Sequence, residues 1–139
     1  MNTTKTTMSG EIKPPIILTA TDYARLSLLA RAAANRMPDL ASGLTGELER
    51  AHVMADGTPE QTVCMGSEVR FRDDLTGKIQ TLTLVYPGDA DISRRRISVL
   101  TPVGTALIGL GPGKSITWKT RSGDLRCLTV IEVREPQLA

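Results

Sequence analysis

The stretch "ISVLTPVGTALIGLGPGKSITW", Ile97 to Trp118, decides how the chain is read. Its first four residues have the aliphatic, partly β-branched make-up of a strand. Pro102 then suits the first position of a short helix, with Thr101 as the capping residue before it. The glycines that follow end that helix. Gly109 or Gly111 takes the left-handed cap, Pro112 enforces the stop, and Gly113 completes a turn into the strand "SITWKT".

The same run closes on Gly113-Lys114-Ser115, the ending of a phosphate-binding loop. That loop requires G-x-x-x-x-G-K-[ST] between a strand and a helix, with backbone N–H groups around the phosphates. Counting back puts its first glycine at position 108, which is Ile108. Pro112 also removes an N–H, and the order is inverted, with a helix before the run and a strand after it. The glycines are turn chemistry.

Working outward, "SEVRFRD" alternates, with Val69 and Phe71 on one face and Arg70 and Arg72 on the other. "DDLTGK" is a turn, and "IQTLTLVY" alternates again through Ile79, Leu82, Leu84 and Tyr86. "PGDAD" turns the chain into a third strand, "RRRISVL". "LRCLTVIEV" forms the last strand, joined to "SITWKT" by the turn "RSGD". Strands linked by short turns predict an antiparallel sheet. Upstream, Thr19 with Asp22 three residues later has the shape of a capping box. Tyr23, Leu26, Leu29 and Ala33 continue at helical spacing until Pro38 disfavours a helical residue before it. Leu40, Leu44, Leu48, Ala51 and Ala55 mark a second helix ended by Gly57-Thr-Pro. The two read as an antiparallel hairpin projecting roughly 20–25 Å. The predicted organisation is a disordered tail over 1–13, a short helical hairpin (a coiled coil) over 14–60, and a sheet domain with one short helix over 61–139. The class is α+β.

The 139 residues suffice for one domain or a small domain with an appendage. Hydrophobic residues make up 40% but aromatics only 3%, so the core is aliphatic, with Phe71 and Trp118 belonging to it. The net charge of +2 lacks the strong basic bias of a nucleic-acid binder. No apolar run approaches the roughly 18 residues that cross a bilayer, and "MNTTKTTMSGEIKPP" has no signal-peptide core. These features point to a cytoplasmic protein without a membrane partner. Cys64, Cys127 and the single His52 cannot make a four-ligand zinc site, so the cysteines are read as reduced, mostly buried thiols.

Few residues offer chemistry. Arg94, Arg95 and Arg96 are the densest positive charge, suited either to contacts with anionic groups or to a solvated edge. His52 is placed near the end of the second helix, where it favours the helix C-terminus. Asp73, Asp74, Asp89 and Asp91 fall in turns that favour aspartate for local reasons. No arrangement commits the chain to catalysis, a metal or a cofactor.

"ISVLTPVGTALIGLGPGKSITW" resembles the signature of the C-terminal domain of the bacterial GreA and GreB transcription factors. The likeness extends through "GSEVRFRDDLTGKIQTLTLVYPGDAD" and "GDLRCLTVIEV". With the short N-terminal hairpin, the chain is most similar to the Rnk branch of that family. The resemblance implies an FKBP-like domain that docks on RNA polymerase at the rim of its secondary channel. It places the docking residues at Leu100, Thr101 and Pro102, and the expected docking surface takes in the neighbouring Ile97 and Val103; Arg94 to Arg96, read from their charge alone, are candidates for charge contacts. Leu100 and Thr101 stand where Gre factors usually carry a polar residue and serine, which implies a more apolar docking surface. Gre factors also carry paired carboxylates at a longer coiled-coil tip, holding magnesium for transcript cleavage. The tip here, "AAANRMPDLASG", offers Asp39 alone. The expectation is a monomeric, non-enzymatic transcription regulator that competes with Gre-type factors and reads no nucleic-acid sequence. The alternatives are a cleavage-stimulating factor or an FKBP-like interaction module for another partner.

Overall fold

Thr19 closes one element and opens the next. The computed structural model describes residues 13–56, 61–120 and 122–134. The expectations for the tail before residue 13 and for the Gly57-Thr-Pro stop lie outside those residues. Strand β1 (Ile16–Thr19) runs straight into helix α1 (Ala20–Ala33), whose cap is Thr19. The Thr19 Oγ1 accepts the Asp22 N–H at 3.1 Å, as the capping pattern predicts. The Met37 N–H returns to the Ala33 carbonyl at 2.8 Å, and Pro38 then starts helix α2 (Pro38–Glu49). Leu26, Ala30 and Ala33 on α1, and Ala41, Leu44 and Leu48 on α2, form the buried faces of two helices packed on each other.

The second helix is shorter than its periodicity suggests. It ends at Glu49, and Ala51–Met54 is strand β2, paired parallel to β1 in the register Ile16↔Ala51 to Thr19↔Met54. Arg50 makes the break. Its backbone leaves the helix, its Nε donates to the Pro14 carbonyl at 3.1 Å, and its Nη1 donates to Glu47 Oε1 at 2.6 Å. Those contacts tie the end of α2 to the entry of β1, 36 residues earlier. His52 therefore lies exposed on β2, not at a helix terminus.

The remaining strands are β3 (Glu68–Asp73), β4 (Ile79–Val85), β5 (Arg96–Ser98), β6 (Ser115–Lys119) and β7 (Leu125–Arg134). They form a five-stranded sheet in the order β5-β4-β3-β7-β6. Three of its pairings are antiparallel, but β4 and β5 are parallel, so the sheet is mixed and not purely antiparallel. The ten residues 86–95 between β4 and β5, with two 3-10 turns, make a compact crossover, shorter than the dozen or more residues such a connection usually takes. Strand β5, expected over "RRRISVL", is only three residues long, because Leu100 and Thr101 already belong to the corner that follows. Val69, Phe71, Leu82 and Leu84 face the core as their alternation predicts, at 0–5% exposure. Ile79 has the opposite parity to Leu82 and is exposed.

Helix α3 (Pro102–Leu107) lies between the sheet and α2, and one continuous core joins all three. The hairpin does not stand clear of the sheet: α2 runs beside α3, with Gly43 facing Thr105. The glycine after α3 welds the two halves together. Gly109, at φ +80°, donates its N–H to the Val63 carbonyl at 2.8 Å and accepts the Ile17 N–H at 3.0 Å. Of the two cap candidates, Gly109 takes the left-handed conformation, and Gly113, at φ +84°, completes the turn into β6.

Candidate functional site

The corner between β5 and α3 is held by a dense set of local hydrogen bonds. The Thr101 Oγ1 donates to the Ser98 carbonyl at 2.7 Å and accepts the Gly104 N–H at 3.0 Å. The Thr101 N–H bonds the same carbonyl at 3.1 Å, and the Leu100 N–H reaches Ser98 Oγ at 3.0 Å. The Thr105 Oγ1 donates to the Val99 carbonyl at 2.7 Å. These bonds tie the turn through Ser98, Thr101 and Thr105, which fixes what the corner presents.

What it presents is Pro102. That residue is exposed at the first position of α3, flanked by half-buried Ile97, Thr101 and Val103. Leu100 is different: at 4% exposure it belongs to the core. The expectation that Leu100 makes the surface more apolar fails, because the turn through Ser98 and Thr101 points its side chain inward. Thr101→Ala removes both the cap and the bond to Ser98. It is expected to cost about 1–2 kcal/mol in urea unfolding, whereas Thr101→Ser keeps both hydroxyl contacts and most of that stability.

Two concavities flank the corner. A groove of about 690 Å³ runs between α2, α3 and β6, and its walls include Asp39, Leu40, Gly43, Pro102, Ile116 and Trp118. A smaller hollow of about 80 Å³ is lined by Phe71, Leu82, Ile97, Val103, Trp118 and Leu128. Trp118 is common to both, and its buried indole N–H has no hydrogen-bond partner. Asp39, expected at a remote hairpin tip, thus shares a groove with Pro102. The sequence marked Trp118 as core and missed this shared wall, because α2 and β6 are far apart along the chain. The only local signal was the rarity of aromatics.

Other polar groups serve the fold. Glu47 is buried; burial raises its pKa above the usual carboxylate range against the pull of the Arg50 guanidinium. Cys64 and Cys127 are both free thiols and half-buried. Burial and the nearby Asp74 carboxylate, 3.2 Å from its sulfur, push Cys127 up to about 11, the reverse of an activated nucleophile. Among the described residues, no group of three or more His, Cys, Asp or Glu side chains could hold a metal ion. No helix among them is long and apolar enough to cross a membrane.

The sequence matches two family models in tandem. The "Rnk N-terminus" covers residues 14–54 and the "Transcription elongation factor, GreA/GreB, C-term" covers residues 58–135. The "Regulator of nucleoside diphosphate kinase" of Escherichia coli K12 is 36% identical over 129 residues, covering 91% of this chain and 95% of the relative. The "Transcription elongation factor GreA" of Syntrophobacter fumaroxidans is 41% identical over 69 residues, but that match spans only 44% of its length. A solved structure from Nitrosomonas europaea, described as a prokaryotic transcription elongation factor GreA/GreB, superposes with a TM-score of 0.67. It is 38% identical and covers 88% of this chain and all of that one. With both segments present in order and a relative matched over nearly its whole length, the chain belongs to the Rnk branch of the GreA/GreB transcription factor family.

Proposed function

We propose that this protein is a non-enzymatic transcription regulator that binds RNA polymerase at the rim of the secondary channel. Ile97, Thr101, Pro102 and Val103 supply the docking surface, and occupancy of that rim excludes Gre-type factors. The observation that carries this reading is the exposed Pro102 on a corner held by the hydrogen bonds of Ser98, Thr101 and Thr105. A preorganised apolar knob binds without the entropic cost of ordering itself.

The same structure supports regulation without transcript cleavage. Cleavage at a phosphodiester needs carboxylates that hold a metal and its water. Asp39 has no second carboxylate beside it on the exposed first turn of α2, and Glu47, further along, is buried and engaged by Arg50. The α2 helix also lies against α3 and does not extend as a free probe. In this reading, any effect on nucleoside diphosphate kinase follows from transcription, since the Gly113-Lys114-Ser115 run is a turn and not a nucleotide cradle.

Stalled elongation complexes test the second half of the proposal. Adding the protein is expected to leave transcript length unchanged while reducing GreB-stimulated shortening in proportion to its concentration. Shortening by the protein alone would make it a cleavage factor instead.

A further inference from the structure

Between the parallel strands β4 and β5 the chain forms a closed loop that the docking corner does not use. Asp91 and Arg96 pair across its base through reciprocal backbone hydrogen bonds of 2.9 Å each. Inside, the Asp91 carboxylate accepts the Ser93 N–H at 3.1 Å and the Ser93 hydroxyl at 2.6 Å. The Arg95 N–H returns to the Ile92 carbonyl at 2.9 Å, and the Arg95 carbonyl accepts the Thr83 N–H at 2.8 Å. The loop is therefore rigid, yet it carries side chains that contribute nothing to its own packing. Ile92 is 86% exposed, and Arg94, Arg95 and Arg96 are all exposed. Arg94 lies 3.7 Å from Asp91, whereas Arg95 and Arg96 form no ion pair with a described residue.

Arg95 sits at φ +57°, the only non-glycine residue in the described chain with a positive φ. An L side chain is strained in that conformation, and glycine would adopt it freely. The fold thus holds an arginine where its own stability has no use for one. We infer that this loop is a second contact surface on the same partner, in which Ile92 is an apolar anchor and Arg94 to Arg96 engage an acidic segment of RNA polymerase. An exposed aliphatic side chain with three exposed arginines on the same short loop matches the apolar and charged make-up of a protein interface. It does not match a phosphate-binding surface, which would continue as a basic stripe with aromatic residues for stacking. Asp89 and Asp91 interrupt any such stripe. Ile97 of the corner follows Arg96 of the loop directly within β5, so the two surfaces are continuous along the chain.

This inference rests on the polymerase reading above, and one experiment separates the two. Binding to core RNA polymerase is measured for the wild type, Arg95→Gly, Ile92→Ser, the triple variant Arg94→Ser/Arg95→Gly/Arg96→Ser, and Pro102→Glu. Arg95→Gly is expected to keep its Tm within about 3 °C of the wild type, since relief of strain offsets added chain entropy. It should weaken binding about threefold, Ile92→Ser about fivefold and the triple variant about thirtyfold, with a flatter salt dependence. Wild-type affinity in the loop variants, alongside weakened binding by Pro102→Glu, would overturn the loop contact and leave the docking reading standing. No binding by the wild type would overturn both. Binding of the wild type to a short DNA or RNA duplex, lost in the triple variant while polymerase binding persists, would assign the loop to nucleic acid and overturn the inference.

Discussion

Gly104→Ala is expected to destabilise the protein by about 3 kcal/mol, lowering its Tm by roughly 10 °C. The first turn of α3 lies directly on the backbone at the end of β5. A Cβ at position 104 would fall inside the contact distance of the Ser98 carbonyl oxygen and only 2.9 Å from Val99 Cα. Both are backbone atoms, so no side chain can swing aside to make room. The Ser98 carbonyl is also the acceptor for the Thr101 N–H and hydroxyl, so moving it loosens the corner itself. Alanine is the better helix former at an open site, so intrinsic preference predicts stabilisation here. Thermal unfolding by circular dichroism decides between them, and a Tm equal to or above the wild type would show that α3 does not press on the strand.

Gly109→Ala is expected to cost a similar amount, about 3 kcal/mol, through two additive causes. The left-handed conformation costs an L residue about 1–2 kcal/mol, and overpacking against Ile16 adds at least as much. A Cβ at position 109 would sit 2.7 Å from the Ile16 Cβ, which is fixed on β1 and has no exposure. The damage should also be localised. The Ile17 N–H and the Val63 carbonyl both bond Gly109, so the β1 to Gly109 seam opens first. Amide hydrogen exchange should speed up at Ile17 and its neighbours in β1, with much smaller changes at Val69 and Phe71 in the central strand. Uniform acceleration across both regions would contradict a localised weld.

Where contacts were local, the sequence was sufficient. Alternation in "SEVRFRD" and the turn chemistry around it located β3 and β4. The Thr19–Asp22 pair located the start of α1, and Thr101-Pro102 located α3. The largest failure comes from pairing across a long sequence separation. Ala51 and Ala55 extend the apolar stripe of α2 at correct helical spacing, yet Ala51–Met54 is a strand because β1 lies alongside it and Arg50 reaches back to Pro14. The parallel pairing of β5 with β4 was hidden for a different reason: a short link suggests a hairpin, while the loop closed by Asp91 and Arg96 provides a crossover. At the candidate site, the corner residues were legible from Thr101-Pro102 itself. The inward turn of Leu100 and the wall shared by Asp39, Pro102 and Trp118 were not, since both depend on where α2 and β6 come to rest.

The Gly-Lys-Ser run shows how context reassigns a motif. Its spacing removed the nucleotide reading, and the structure gives each glycine another task. Gly109 joins β1 to the loop before β3, and the Gly113 N–H pairs with the Val130 carbonyl at 2.7 Å as the chain enters β6.

The central claim is that the β5–α3 corner is the surface that meets RNA polymerase. Pro102→Glu tests it most directly, because glutamate at the first position of a helix is electrostatically favourable and leaves the Thr101 cap intact. Titration of fluorescently labelled protein with core polymerase is predicted to show saturable wild-type binding, competed by GreB. It should show at least tenfold weaker binding for Pro102→Glu at an unchanged Tm. Equal affinity for the two proteins would place the contact elsewhere on the molecule and contradict the account.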